Sequence, residues 1–457
     1  MRKIYSLCFI CLFLMGYSID SNFEVIHKSN LDANKYIEYE DKLMVQVDIS
    51  FGSNKDKFKS IVEIDKYCLS ILGSEIKEFE NLKKFNNSLS NTFNYIQKVS
   101  QVYGEYFIQG IFGQDSVKLG EIDIGKLKFF VATELNPTQI FASSTIGLIP
   151  EEKTINYDIA GINILDQLKS AKIINKTTWF LDFNDINKGT FVMGKLPHEV
   201  NGNKYKEKDL LSTYLGRNEY YKSFYILEFN EIYYGNINNY NNRISLNKFN
   251  VSIISLSTNF IYSTFQYFEF ISKKLFEKKV IENICHQGIY AENYVYYYCD
   301  KDKFDISEVD NLNFFIRDTN ITFTLESKEL FYENNNFLYY MVLFPNNDNI
   351  NFNWIFGLSF LKKYTLAFDR GEKIVYYYSS YQENNNKEES DNNSNSTKYI
   401  IIIVCLCVIF ICCIVALVFY ILKIKPRKKK ANELDEGYDY ETQNDNEKGK
   451  SPLVVNE

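Results

Sequence analysis

Residues 103–120 read YGEYFIQGIFGQDSVKLG. Within this run, residues 104–119 are rich in aromatic and branched side chains and partly alternate apolar with polar positions, which predicts strand structure. Similar runs lie on either side, at residues 43–51 (LMVQVDISF), 128–132, 190–193, 223–229 and 251–256, with turn signals between them. Helical patterns are few and short, at residues 164–171 and 267–276. The composition agrees, since 36 Tyr and 37 Phe against 6 Pro favour strand over helix. The chain reads as an all-β protein with a few small helices. A polar, strand-poor stretch near residues 196–219 divides it into two lobes, 36–196 and 220–380, joined by 197–219.

Four motifs, in order and in register, carry a family resemblance. Residues 103–120 hold Tyr103-Gly104, a Gly110-Ile111-Phe112-Gly113 step and an Asp115-Ser116-Val117 exit, and resemble the flap hairpin of pepsin-like aspartic peptidases. Ile146-Gly147-Leu148 resembles the end of that family's Gly-Ile-Leu-Gly-Leu strand, and Gly189-Thr190-Phe191-Val192-Met193-Gly194 is similar to the strand closing its first lobe. Trp354-Ile355-Phe356-Gly357 through Lys362-Lys363-Tyr364-Thr365-Leu366-Ala367-Phe368-Asp369-Arg370 resembles the signature near the end of its second lobe. The resemblance covers residues 36–378. It implies a two-lobed pepsin-like fold with an interlobe cleft, and a flap formed by Tyr103 and Gly104.

The chemistry implied by the resemblance needs two Asp-Thr-Gly loops, one per lobe. Two close carboxylates cannot both ionise easily, so they share a proton. One acts as base on a water while the other is acid toward the scissile carbonyl. The family spacing places Glu63-Ile64-Asp65 at the first loop and Ser255-Leu256-Ser257 at the second. Five of these six positions differ outright, and Glu63 keeps only a carboxylate on a longer arm. Asp65 is an alternative if the first loop slips by two residues, but the sequence has no Asp or Glu between Glu231 and Glu269. No catalytic residue is therefore expected, the dyad-equivalent positions being Glu63 and Ser255. Residues 19 to the first strand, read as short, lack the strongly basic block that active members of the family carry as an inhibitory prosegment.

The ends of the chain point to a membrane. Arg2 and Lys3 precede an apolar run, with small residues Gly16 and Ser18 after it, the pattern of a signal peptide over 1–18. Residues 399–422 carry no charge and are long enough to cross a bilayer of roughly 30 Å with some tilt. Lys423, Lys425, Arg427, Lys428, Lys429 and Lys430 follow, so the positive-inside rule puts the tail 423–457 in the cytosol. The expectation is a type I single-pass protein of the secretory pathway or cell surface, with one transmembrane helix, a polar stalk at 381–398 and a lumenal or extracellular body.

In that oxidising compartment Cys285 and Cys299, close in sequence, are expected to form a disulfide, leaving Cys68 as a small buried hydrophobe. Asn86, Asn175, Asn320, Asn392 and Asn395 head glycosylation sequons; Asn250 does too, but opens a predicted buried strand. The 3 His residues (His27, His198, His286) are far apart without metal spacing, so no metal or other cofactor is expected. Mixed charge, net −7, argues against nucleic acid as a partner. Three readings follow: a non-catalytic ectodomain binding a peptide or protein in the cleft, an endopeptidase with an altered site using Glu63 or Asp65 and a water held by Ser255, and a structural or adhesive surface protein.

Overall fold

The computed structural model describes residues 18–378 apart from 28–35, 67, 78, 104–105, 136–141, 151–161, 216–223, 245–250, 317–318 and 347–353. The expected signal peptide (apart from Ser18), stalk, membrane span and tail lie outside the described residues. Among those described, no helix is long and apolar enough to cross a membrane.

The strand Leu43–Phe51 shows why the first lobe forms. Val45, Val47 and Ile49 are buried while Asp48 between them is exposed, the period-two alternation of a strand with one face in the core. It pairs antiparallel with Ile19–His27, with Asp56–Glu63 and with Tyr106–Leu119. Asp56–Glu63 then runs parallel to Ser144–Gly147, which is antiparallel to Leu69–Leu72, itself parallel to Ile122–Leu135. The second lobe repeats this plan. Val251–Ile254 runs parallel to Trp354–Phe356, which is antiparallel to Ile261–Tyr262, itself parallel to Val342–Pro345. The chain is mostly β and holds the same four-strand arrangement twice.

A shared sheet joins the halves. Thr178–Asp185, beside Lys188–Met193, pairs with Ala367–Asp369 from the far end of the second half, and Ile374–Tyr378 and Leu210–Tyr214 extend it. At its centre Trp179, fully buried, stacks on Phe368 with ring centroids 4.8 Å apart. The Trp179 indole N–H donates to the Tyr225 hydroxyl (2.9 Å), which donates to the Leu148 carbonyl (2.6 Å). Aromatic side chains fill both cores: Phe51, Phe58, Phe85 and Phe129 interlock in the first, Tyr267, Phe344 and Trp354 in the second. Each such pair adds about 0.5–1.5 kcal/mol beyond the area it buries.

Four stretches differ from the sequence reading. Residues 210–214, inside the stretch read as strand-poor, form the edge strand Leu210–Tyr214. An edge strand pairs on one side only, and Leu211, Ser212 and Tyr214 are exposed, so its sequence lacks the apolar face on which the reading relied. Residues 19–27, read as lying ahead of the first strand and of the lobe's start at 36, are themselves a strand, burying Ile19, Phe23 and Val25 and exposing Asp20, Asn22 and Glu24. Among the described residues of the run 223–229, the strand is confined to Ile226–Glu228. The helical run 267–276 spans the helix Phe265–Ile271 and a wider turn at Ser272–Phe276.

Candidate functional site

The parallel pairing in each half ends in a loop held against a glycine. In the first, Glu63 is in register with Gly147. The Leu148 N–H donates to the Glu63 carbonyl (2.9 Å), and the Gly147 N–H to the Cys68 carbonyl (3.1 Å). A Cβ on Gly147 would come within 2.6 Å of the Lys66 carbonyl oxygen, so only glycine lets the two main chains cross. In the second, the Ser255 N–H donates to the Phe356 carbonyl (2.9 Å), the Gly357 N–H to the Phe260 carbonyl (3.1 Å) and the Leu358 N–H to the Thr258 carbonyl (2.8 Å). A Cβ on Gly357 would lie 2.4 Å from the Phe260 carbonyl oxygen. Glu63 and Ser255 thus occupy the same place in the two repeats, each at the mouth of its parallel strand pair.

The two loops offer different chemistry. The first carries the Glu63 carboxylate, a buried Ile64, and an exposed Asp65 lying 3.5 Å from the Lys66 ammonium. The second carries hydroxyls. Ser255 and Ser257 are hydrogen-bonded through their Oγ atoms at 3.0 Å, the Ser257 N–H donates to Ser255 Oγ (3.3 Å), and Leu256 is buried. The Ser255 hydroxyl is therefore held within its own loop.

Three residues to which the sequence reading assigned no role stand against the second loop. The Asn259 side-chain amide donates to Glu40 Oε2 (2.9 Å), and Lys362 Nζ donates to Asn259 Oδ1 (3.2 Å). Burial pushes the Lys362 ammonium down to about 8, partly opposed by the Glu40 carboxylate. Lys362 and Asn259 do lie within or beside the quoted motifs, but nothing local announces Glu40, which is 219 residues away from Asn259.

The remaining sequence candidates fall as follows. Tyr103 ends the strand Asn94–Tyr103, in register with Tyr106, while Gly104 lies outside the described residues. Cys285 and Cys299 face each other across the hairpin Cys285–Tyr290/Tyr294–Asp300 and are disulfide-bonded; Cys68 is buried beside Gly147. Asn175 and Asn320 are exposed; Asn86 is half-buried and accepts from the Ser88 N–H of its own sequon (3.1 Å); Asn250, Asn392 and Asn395 lie outside the described residues. His198 hydrogen-bonds Tyr378 (2.8 Å) and His286 meets Asp300 (3.3 Å). Among the described residues no cluster of His, Cys, Asp or Glu is arranged to hold a metal ion.

Comparison with known proteins bears on the whole arrangement. A yeast protein described as aspartic proteinase yapsin-3 (Saccharomyces cerevisiae) is 26% identical over 200 residues, covering 39% of this chain and 38% of the relative. The match thus spans well under half the length of that relative. The family described as eukaryotic aspartyl protease matches residues 46–377, a span that takes in both loops, both crossing glycines and the shared sheet. The chain belongs to the eukaryotic aspartyl protease family.

Proposed function

We propose that this protein is a non-catalytic member of its family, a membrane-anchored ectodomain that uses the cleft between its lobes to bind a peptide or protein segment. The residue opposite Gly357 carries the reading. Ser255 stands there, bonded to Ser257, and the loop around it has no carboxylate. The family reaction needs two carboxyl groups that hold one water and share one proton. A serine hydroxyl is no acid at any pH where a carboxyl dyad works. Across the cleft, the extra methylene of Glu63 displaces its oxygens by about an ångström relative to an aspartate, a misplacement that alone costs roughly a hundredfold.

The test is the ectodomain incubated with unfolded protein from acid to neutral pH, with a pepstatin-type inhibitor as control. No turnover is expected. Inhibitor-sensitive cleavage that disappears in Glu63→Ala would overturn the reading in favour of an altered-site peptidase, which the Glu63 carboxylate in register with Gly147 would then serve. Converting both positions, Glu63→Asp with Ser255→Asp, is expected to leave the protein inactive. Ile64, Asp65, Leu256 and Ser257 still replace the threonines and glycines of the loops, and members of a catalytic unit are non-additive.

The placement in the membrane rests on the flanking charges of residues 399–422. With an epitope after Glu457 in sealed microsomes, added protease should remove the epitope and spare the body. A glycosylation acceptor placed in the tail that became modified would reverse the topology.

A further inference from the structure

The two ends of the sequon at Asn175 stand in unlike places. Asn175 is exposed, whereas Thr177, two residues on, is 2% exposed. The Thr177 hydroxyl is engaged in both of its roles. It donates to Asp369 Oδ1 (2.8 Å) and accepts from the Gly371 N–H (2.8 Å). The Thr177 carbonyl accepts from the Arg370 N–H (3.2 Å). These partners form one turn, in which the same Asp369 oxygen also accepts from the Gly371 and Glu372 N–H groups (3.0 and 3.1 Å). A Cβ on Gly371 would come within 2.7 Å of Thr177 Oγ1, so glycine lets the turn close over the hydroxyl. The next residues run straight into the shared sheet, Thr178 opposite Asp369 and Trp179 opposite Phe368.

Asp369 lies 192 residues beyond Thr177, so this hydroxyl is taken by the far half of the chain. The sequon at Asn86 is closed locally instead, the Ser88 hydroxyl donating to Asn86 Oδ1 (2.7 Å). Asn320 is exposed between the neighbouring strands Leu312–Ile316 and Ile321–Leu325.

Glycosylation of an asparagine is a group transfer. The amide nitrogen bonds to the anomeric carbon of an oligosaccharide carried on a lipid diphosphate. The anomeric carbon–oxygen bond breaks, the lipid diphosphate leaves with that electron pair, and the amide gives up one proton. The transferase reads the hydroxyl two residues on as well as the amide, which is what defines the sequon. A hydroxyl buried between Asp369 and Gly371 is out of its reach, although the Asn175 amide is at the surface. Presenting Thr177 would first break a hydrogen bond to a charged group, which lowers its availability on the order of tenfold or more.

We propose that Asn175 is a glycosylation site with a closing time: it accepts its oligosaccharide before the two halves join, and the docking of residues 369–371 shuts the sequon by taking the Thr177 hydroxyl. The folded chain carries the glycan outward on Asn175 while Thr177 stays in the seam. That the chain meets the transferase at all rests on the lumenal placement of the body; the closure does not.

The experiment takes the full chain made without glycans, purified in detergent, and supplies purified transferase with its lipid-linked oligosaccharide. Glycan on the Asn175 peptide is followed by mass spectrometry. Chain diluted from urea should be modified there on the order of tenfold faster than native chain. Native Asp369→Ala should be modified faster than native wild type. Should that variant fail to fold, the wild-type pair decides alone. Equal rates for native and diluted wild type, or the native wild-type rate in a folded Asp369→Ala, would overturn the closure. Chain taken from untreated cells should carry the glycan at Asn175. A bare Asn175 there, with closure seen in the purified system, would overturn the proposal through the lumenal placement and not through the closure.

Discussion

Lys362 holds its ammonium between the Asn259 side chain and the ring of Phe183, in a setting that disfavours its charge. Its folded value near 8 lies below the ordinary lysine value of about 10.4, so between those two pH values the unfolded chain binds the proton more tightly than the folded one. Stability therefore rises with pH through this window, and below about 8 the cost of the buried charge is constant. Urea unfolding at steps from pH 7.5 to about 10 should show Lys362→Met losing this rise relative to the wild type. Parallel curves for the two proteins would refute the assignment. At this scale the sequence was only half legible. Glu63 and Ser255 could be located because the family resemblance, carried by motifs on either side, fixes the spacing of the two loops. Glu40 and Asn259 could not be linked, because their contact comes from the docking of a short helix on the opposite half of the chain, which no local pattern encodes.

Among the elements, the two crossing loops depend on Gly147 and Gly357 for room rather than for unusual backbone angles, since what a Cβ would strike is a carbonyl oxygen at 2.6 or 2.4 Å. Main chain cannot turn aside as a flexible side chain can. Gly357→Ala should therefore lower stability by roughly 1–3 kcal/mol or more, as overpacking does in a rigid site, measured as a reduced urea midpoint. Gly202→Ala, whose nearest neighbour is 3.4 Å away, should stay close to the wild type, and equal losses in the two variants would show the crossing to be slack. The strands with one buried face, such as Leu43–Phe51, were legible from their alternation. Leu210–Tyr214 was not, because a strand at the rim of a sheet has no obligation to alternate. The signal for Ile19–His27 is present, in Ile19, Phe23 and Val25 between polar neighbours, but it sits directly after the apolar run read as a signal peptide and ahead of the first strand of the sequence reading.

For the molecule as a whole, the chain from Trp179 through the Tyr225 hydroxyl to the Leu148 carbonyl ties the shared sheet to the first crossing loop. Tyr225→Phe keeps the ring and removes the hydroxyl, leaving the buried indole N–H and the Leu148 carbonyl each without that partner, at a cost of about 1–3 kcal/mol. Because the same seam joins both halves, calorimetry of this variant should show one transition at lower temperature, or two if the halves uncouple. An unshifted wild-type profile would mean that the seam carries no strain between them. The shared sheet has a further consequence for synthesis. Thr178–Asp185 reaches its partner Ala367–Asp369 only after nearly the whole second half has been made. At about 5–20 residues per second, the nascent chain carries an open strand edge for on the order of ten to forty seconds. Such an edge is a template for wrong pairing, so biogenesis of this protein should lean on chaperones during translation, more than its final stability would indicate. Nascent chains stalled before residue 367 should be captured by chaperones and released once the stall lies far enough past residue 378 for Ala367–Asp369 to leave the ribosome; equal capture at both lengths would show that the edge is shielded by other means.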